Sequence, residues 1–537
     1  KKTLLAAALA AAMPCVAMAS GIGTVTVDGS TVSASFDQDN SIVVGSDAAQ
    51  TVEITNPNNP ALWISGTSTG TATILGKQII LKSNSNTFGD GVEAGAGNTA
   101  NLGTASSESV TLDGTRFGAM ASGGTVNITA DDVMVNGGQT GLWAQNSGTD
   151  RGVIHINANN VDIKAEDYAV LSLKSDVSIT ASTLNVETNT GAALHVQNNT
   201  QTEIAPADRA TLTVVADNIN LKSNAIGISS YSNGKMDISG NLTINAPTAI
   251  DARGYSETNI NQNGNGTVVI NGDISFETPG PDHNSGNIID ATVNLNLTGE
   301  NSSWTGNVSK GYPSERENTN GQNDVGAGNG TGLNLTLSNG AQWNPTVMTD
   351  SYDETYQTQS ESMALTNLTM NNGVININDV NQTVNVQNMQ GSGGTVNVAA
   401  QANSDGTLQA ASLKVGSAVD SSEIGGGQAG SASGHLAVNY LGIDADDLGA
   451  DTAAAMTQLA SNIQAQGATQ TQTVAEGDVA GAVVAQVNED GNVSAVTESA
   501  NSVMGSLHQI AQNNFLVFRS QMNDMDKRMG DLRTMPQ

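Results

Sequence analysis

Short apolar alternations recur through the middle of this chain, and their spacing limits what it can fold into. Val126-Asn127-Ile128-Thr129-Ala130 is followed by Val133-Met134-Val135 and then by Leu142-Trp143-Ala144. The same order returns in Ile154-His155-Ile156, Val161-Asp162-Ile163 and Ala169-Val170-Leu171. It returns again from Val177, Leu212 and Met236, each time as two alternating runs and a third apolar run. Alternation with period two marks a strand with one buried face. No single run is long enough to bury that face alone. A repeat of roughly 24 residues lies in the range of stacked architectures, where each unit covers the next. Three strands per unit predict a triangular turn with Val, Ile and Leu inside and Asn, Thr, Ser and Asp outside, which is a parallel β-helix.

Residues 21–120 fit the scheme less regularly, with Val25, Val27, Ile42, Val44, Val52, Ile54, Ile79 and Leu81 as core candidates. From about 290 to 440 the motif changes to Val293-Asn294-Leu295-Asn296-Leu297 before Trp304, and Leu333-Asn334-Leu335-Thr336-Leu337 before Asn339-Gly340-Ala341-Gln342-Trp343. If residues 20–440 all belong to it, the stack has about 17 turns and is about 80 Å long at the usual strand spacing. Polar stretches at Asn84–Ser107, Glu277–Gly286, Lys310–Gly330 and Thr349–Ser362 read as surface excursions from the repeat.

Composition agrees with short strands and tight turns. Glycine accounts for 59 of 537 residues, aromatics for only 3% and charged residues for 13%, less than a compact enzyme of this length carries. The net charge of −32 excludes nucleic acid and anionic lipid as partners held by bulk electrostatics. The one cysteine, Cys15, falls in a leader-like segment. Lys1 and Lys2, the Ala/Leu-rich run to Met13, and Ala17-Met18-Ala19 before Ser20 read as a signal peptide over 1–19, cut after Ala19. An exported chain without disulfides suits passage through a narrow pore.

After 440 the pattern shifts. Asp446–Gln466 has helical character around Ala453, Met456, Leu459 and Ile463. Ala482–Val487 and Asn492–Thr497 read as a hairpin turning through Asn488-Glu489-Asp490-Gly491. Leu507, Ile510, Asn514, Phe518, Met522, Met525, Met529 and Leu532 follow at helical spacing.

The stretch Phe518-Arg519-Ser520-Gln521-Met522-Asn523-Asp524-Met525-Asp526-Lys527-Arg528-Met529-Gly530-Asp531-Leu532-Arg533 resembles the helix that leads into the β-barrel of classical (type V) autotransporters. In that family the segment matching Lys527, Arg528, Met529, Gly530, Asp531, Leu532 and Arg533 directly precedes the first barrel strand. The Trp304 and Asn339–Trp343 units, with Met389-Gln390-Gly391-Ser392-Gly393-Gly394-Thr395-Val396 and Gly434-His435-Leu436-Ala437-Val438, are similar to the C-terminal passenger turns of pertactin-like members.

The resemblance implies export through the periplasm, passage across the outer membrane by the chain's own C-terminal β-barrel, and display at the cell surface or release. It implies that turns near 390–440 assist folding as an autochaperone. In some serine-protease members the linker helix is cut at an Asn-Asn pair by cyclisation of the first Asn; the matching positions here are Asn523 and Asp524, so the cyclising residue is present and the second differs.

The fold expected from all this is all-β: a right-handed parallel β-helix (solenoid) followed by a C-terminal α-helix that would enter a β-barrel absent from this chain. The expected divisions are a leader at 1–19, passenger at 20–289, pertactin-like turns at 290–440, a helix-and-hairpin linker at 441–500 and the barrel-entry helix at 501–537.

Signs of chemistry are weak. Gly66-Thr67-Ser68-Thr69-Gly70 matches a nucleophile-elbow pattern but lacks its strand-to-helix setting. His155 and His195 are expected to decorate the outer face, and neither they nor His283, His435 and His508 have a Ser and Asp neighbourhood in sequence. Trp304 and Trp343 sit where packing is expected, while Trp63 and Trp143 are candidates for exposed contacts. No catalytic, cofactor or metal residues are assigned. The expected activity is that of a non-enzymatic adhesin or host/biofilm interaction protein, with host-cell, matrix or glycan ligands, and a secreted hydrolase (protease, esterase or polysaccharide-degrading) is the alternative.

Overall fold

The computed structural model describes residues 20–66, 69–200, 202–277, 291–313, 332–347, 351–353, 358–420 and 430–533, without side chains at 277, 310–313, 351–361, 504–505, 508 and 523–533. The leader at 1–19, Glu277–Gly286 apart from the backbone of Glu277, and most of Lys310–Gly330 therefore lie outside the described residues. The described residues are mostly strand, and 39 strands join one hydrogen-bonded arrangement. The strands stand in three parallel columns. Thr125–Gly137, Val153–Ala165, Asp176–Thr188 and Ala210–Ser223 each supply the first and second columns in succession, and Thr140–Gln145, Tyr168–Leu173, Ala192–Gln197 and Ile226–Tyr231 supply the third.

The register follows the sequence repeat. In the first column Val126 pairs with Ile154, then Val177, Leu212 and Met236. In the second, Val133 leads to Val161, Leu184, Ile219 and Leu242. In the third, Leu142 leads to Val170, Leu194, Ile228 and Ile250. Every one of these side chains is at most 2% exposed. A slip of one residue would turn a whole column of aliphatic groups to water, so the alternation itself fixes the register. Of the irregular early candidates, Val25, Ile42, Val44, Val52, Ile54, Ile79 and Leu81 are buried and Val27 is partly so.

Asparagine ladders run outside this core. From Asn259 to Asp237, Asn294 to Asn259, Asn334 to Asn294, Asn367 to Asn334 and Asn388 to Asn367, each Nδ2 donates to the oxygen of the earlier tier at 2.7–3.0 Å. A second ladder runs from Asn220 to Asn185 to Asp162. The direction follows from the carboxylate, which only accepts; the first Asn must turn its amide nitrogen toward the acid and thereby offers its oxygen to the next tier. Sequence distance between rungs varies from 21 to 40 residues. The ladder thus holds its alignment where long insertions enter.

Trp304 and Trp343 are stacked inside the second column, with centroids 5.3 Å apart and planes 3° from parallel. Their strands, Ser303–Thr305 and Gln342–Asn344, have three residues and one inward side chain each. A tryptophan fills what two aliphatic residues fill elsewhere. Each indole N–H donates to the carbonyl of a glycine one tier earlier, Gly272 at 3.0 Å and Gly306 at 3.1 Å. Both glycines have positive φ, and a Cβ at Gly306 would stand 2.2 Å from the Gly272 carbonyl oxygen.

Four sequence expectations need correction. Asn84–Ser107 is no excursion: it contains Asp90–Gly95 and Thr99–Leu102, regular rungs whose buried aliphatic residues are Val92, Ala94, Ala100 and Leu102. Their small, Gly-rich composition hid them. The parallel ladder does not stop at 440 but continues through His435–Asp444 into Thr469–Ala475. That last strand turns Gln470 and Gln472 inward, both fully buried, so it carries no aliphatic alternation. Helical character in Asp446–Gln466 is confined to a 3-10 turn, Ala445–Leu448, and the helix Thr452–Ala460, with Ile463 in a strand. Part of Thr349–Ser362 is also regular: Ser351–Asp353 and Thr358–Ser362 pair antiparallel with each other, and the latter with Val308–Pro313.

Both ends of the ladder are covered by antiparallel strands. Gly21–Ile22 lies on Leu62–Ile64, and Thr24–Val27 with Ser30–Val32 lies on Thr51–Asn56. At the other end Val483–Val487 and Val493–Glu498 form the hairpin expected from sequence and cover Thr469–Ala475. Reversed strands end parallel growth and shield the open edge.

The buried glutamines are held in a chain: Tyr440 Oη donates to Gln472 at 2.8 Å, Gln472 to Gln470 at 2.7 Å, and Gln470 to the Ile463 carbonyl at 3.2 Å. Gln472→Ala leaves the buried Tyr440 hydroxyl and the Gln470 carbonyl without partners, a loss of roughly 1–3 kcal/mol for each orphaned group. Because tiers contact only their neighbours, the loss should stay local. Hydrogen exchange should speed up at 436–440 and 469–474 and remain unchanged at 126–163; uniform acceleration would contradict a local role.

Candidate functional site

Outward side chains on the first and second columns are mostly Asn, Thr, Ser and Asp, as in the series Asn127, His155, Ser178, Thr213 and Asp237. The third column differs. Its outward series runs Trp63, Glu93, Met120, Trp143, Leu171, His195, Ser229 and Asp251. These residues point away from the aliphatic core, yet Met120, His195, Ser229 and Asp251 are buried. Large neighbours on the same face lie over them in two clusters.

The first cluster is built around Arg116. Its guanidinium grips Asp90, Nε to Oδ1 at 2.9 Å and Nη2 to Oδ2 at 2.5 Å. It also lies 4.3 Å from the Phe117 ring centroid and 5.9 Å from that of Phe88. Phe117 meets Trp143 edge-on at 4.6 Å, and the buried Trp143 indole N–H has no acceptor among the described residues. Asp90 is fully buried; burial pushes its carboxyl up while Arg116 pulls it back. Glu93 stands in register between Trp63 and Met120. Burial, with Asp90 nearby, pushes Glu93 up to about 7. Two carboxyl groups stand near one guanidinium in a poorly solvated place, and Asp90 has its bidentate grip.

The second cluster surrounds His195, which is 3% exposed and not on an open surface as the sequence suggested. Tyr168 lies 5.1 Å and Tyr231 4.9 Å from its ring centroid. Tyr231 Oη donates to Asp251 at 2.5 Å, and Arg253 donates to the same carboxylate while lying 4.4 Å over the Tyr231 ring. His195 Nδ1 accepts from Ser229 Oγ at 2.5 Å, and Nε2 donates to Gln197 Oε1 at 3.2 Å, which fixes the neutral tautomer. Burial lowers its pKa to about 4.

A Ser-His contact with an Asp one tier on invites a catalytic reading that sequence inspection did not raise. The geometry argues for packing instead. His155 Nδ1 makes the same contact with Ser178 at 2.5 Å, and His435 Nδ1 with Thr469 at 2.9 Å. In all three cases the hydroxyl belongs to the register partner one tier later. The contact is therefore what a histidine and a hydroxyl make when the ladder stacks them. Asp251 is directed to Tyr231 and Arg253, away from the imidazole.

Trp63 is no exposed platform either. The Gly21 backbone lies against its ring so closely that a Cβ there would stand 2.1 Å from it, so Trp63 is half covered by the N-terminal strand. Trp143 is likewise half-buried. Ser20, after the expected cleavage point, exchanges hydrogen bonds with Ser65 at 2.7 and 2.8 Å, while Ala17 and Ala19 lie outside the described residues, as does Ser68. Asn523, Asp524 and the segment Lys527, Arg528, Met529, Gly530, Asp531, Leu532 and Arg533 all fall within the helix Ser502–Arg533, and their side chains are outside the described set.

That helix has a feature its spacing concealed. Phe515, Leu516, Val517 and Phe518 are exposed by 64%, 58%, 56% and 61%. Four consecutive residues at about 100° per step point to every side of a helix, not to one stripe. No described helix is long and apolar enough to cross a membrane, and no described group of His, Cys, Asp and Glu side chains is arranged to hold a metal ion.

The two clusters predict opposed pH responses. His195 holds its proton less tightly folded than unfolded, so its contribution falls as pH drops from 6.5 to about 4. Glu93 holds its proton more tightly folded, so its contribution falls as pH rises from 4.5 to about 7. Each slope is worth at most about 3 kcal/mol. They offset where they overlap. His195→Gln should unmask a loss of stability with rising pH, and Glu93→Gln a gain, in chemical unfolding midpoints followed from pH 4 to pH 7. Parallel profiles for the two variants would contradict these environments. No family model matches this chain, and none of the curated proteins does.

Proposed function

We propose that the three columns wind as a right-handed parallel β-helix, and that the chain is the exported passenger of a classical autotransporter, displayed at the bacterial surface as a non-enzymatic adhesin. The observation that carries this reading is the apolar girdle Phe515–Phe518, exposed on all sides of a helix. A groove or a neighbouring helix covers one stripe of such a helix; a surrounding ring covers all of it. A β-barrel that encloses the helix supplies that ring, and the helix belongs where the sequence resembles a barrel-entry segment. Fold alone does not give function, and the adhesive part rests on the third column. Its outward face concentrates tyrosine, tryptophan and arginine, residue types enriched at interfaces, against columns of Asn and Thr. Host-cell, matrix or glycan ligands would be bound by complementarity along that face.

The test is to join residues 1–537 to an autotransporter β-barrel and express the product in a Gram-negative host. A folded, protease-resistant rod reachable by antibody on intact cells is expected. Retention in the periplasm, or export unchanged when Phe515, Leu516, Val517 and Phe518 are all replaced by Ser, would overturn the export reading. Displaying cells should bind immobilised matrix proteins or glycans, and Arg253→Ala with Tyr231→Ala should weaken that binding several-fold while the rod stays protease-resistant. Equal binding by cells without the rod would sink the adhesive reading.

A further inference from the structure

The helix Ser502–Arg533 has no extended packing against any other described element. Something else must set its direction. Its first residue is held from a distance: Ser502 donates its backbone N–H to Glu476 at 3.1 Å and its hydroxyl to the same carboxylate at 2.5 Å. Asn501, only 6% exposed, donates Nδ2 to the carbonyls of Gly477 at 2.8 Å and Ala480 at 3.0 Å. A carboxylate at this end also meets the positive end of the helix dipole.

The loop that receives these bonds is itself anchored. Asp446 Oδ2 accepts the backbone N–H of Asp478 at 2.7 Å and of Val479 at 3.1 Å, and Oδ1 accepts that of Ala480 at 2.7 Å. Asp446 belongs to the 3-10 turn Ala445–Leu448, where Asp444 and Asp447 form a capping box. Asp444 is the last residue of the ladder strand His435–Asp444. Gly477 sits against these acids so closely that a Cβ would stand 2.6 Å from Asp446 Cγ and 2.7 Å from Asp444 Oδ1. The bonds therefore run without a gap from the ladder strand His435–Asp444, through Asp446, across residues 476–480, to the first turn of the helix.

We propose that Asp446 and Glu476 are positioning residues of a latch that fixes the take-off direction of the terminal helix, so that stack and helix turn as one body. Two carboxylates do what a packed interface does elsewhere, and they do so at a junction of three residues, 499–501. Without them the start of the helix is held less firmly, since no other described element packs against the helix over an extended length. In the passenger reading, on which only its use depends, the latch sets the angle at which the rod leaves the barrel.

The latch is testable on the chain in solution, with no barrel or membrane. Spin labels at Ala495→Cys and Ser520→Cys report the distance from the covering hairpin to the helix by double electron–electron resonance. A single narrow distribution is expected for the parent chain. Glu476→Ala should at least double its width, Gly477→Val should do the same by displacing Asp446, and Glu476→Gln should stay closer to the parent because its amide oxygen still accepts. Hydrogen exchange at 469–474 should not change in Glu476→Ala, which separates a loosened hinge from an unfolded cap. A broad distribution in the parent, or an unchanged width in Glu476→Ala, would overturn the latch. Either result leaves export untouched, because display on cells is read separately.

Discussion

Every parallel strand of this protein depends on one constraint: an inward side chain must lie on the inward side chain of the tier before it. In the second column parallel pairing transmits that constraint tier by tier from Ile54 to Gln472. It makes the core a set of columns rather than a centre. A column has no preferred length, which is why rung distances from 21 to 40 residues coexist along one asparagine ladder. Insertions leave and return at the corners, and the register absorbs them. A column also has no natural end, so reversed strands at Gly21–Val32 and Val483–Glu498 are needed to close it. Reversal is cheap in hydrogen bonds and costly to any further parallel partner, which suits an end.

The same constraint explains what could be read from sequence. Where the inward positions are Val, Ile and Leu, as in Val126, Ile128 and Val133, the alternation is plain and the assigned runs are the observed strands. Where they are Ala, as in Ala94 and Ala100, or Gln, as in Gln470 and Gln472, the geometry is the same and the pattern vanishes. A period-two signal needs contrast between its two faces. Thr-Gln-Thr-Gln offers none, although two buried glutamines satisfied by Tyr440 and by each other serve the core as well as aliphatic groups. Helical spacing misled in the opposite sense at Ile463, where an apolar residue in phase with Met456 and Leu459 belongs to the next strand.

The candidate face was illegible for a different reason. Nothing local distinguishes His195 from His155: both sit mid-strand between apolar residues. What separates them is the chemistry one tier away. His155 has Asn127 and Ser178 as neighbours and stays exposed, whereas His195 has Leu171 and Ser229 and lies between the rings of Tyr168 and Tyr231. Burial on an outward face is a property of adjacent tiers that are 23 to 34 residues apart in sequence. It can be inferred only after the register is known. The pairing of Asp90 with Arg116, 26 residues apart, is hidden in the same way.

Stack and helix differ in how their apolar groups are satisfied. In the stack each tier covers its neighbours, the ends are closed, and few large apolar side chains are exposed among the described residues. The helix holds Phe515 to Phe518 in the open and is tied to the stack at its start, by Asn501 just before it and by Ser502. Burying a Leu or Phe side chain contributes about 1.5–3 kcal/mol, so the girdle represents a large unspent affinity in one place. A rod that is finished in itself, joined through a pair of carboxylates to a helix that is not, behaves as two parts with separate requirements. The rod needs only its own register. In the proposed reading the helix is enclosed by a surrounding wall, which it meets from the direction that the acids at 446 and 476 set.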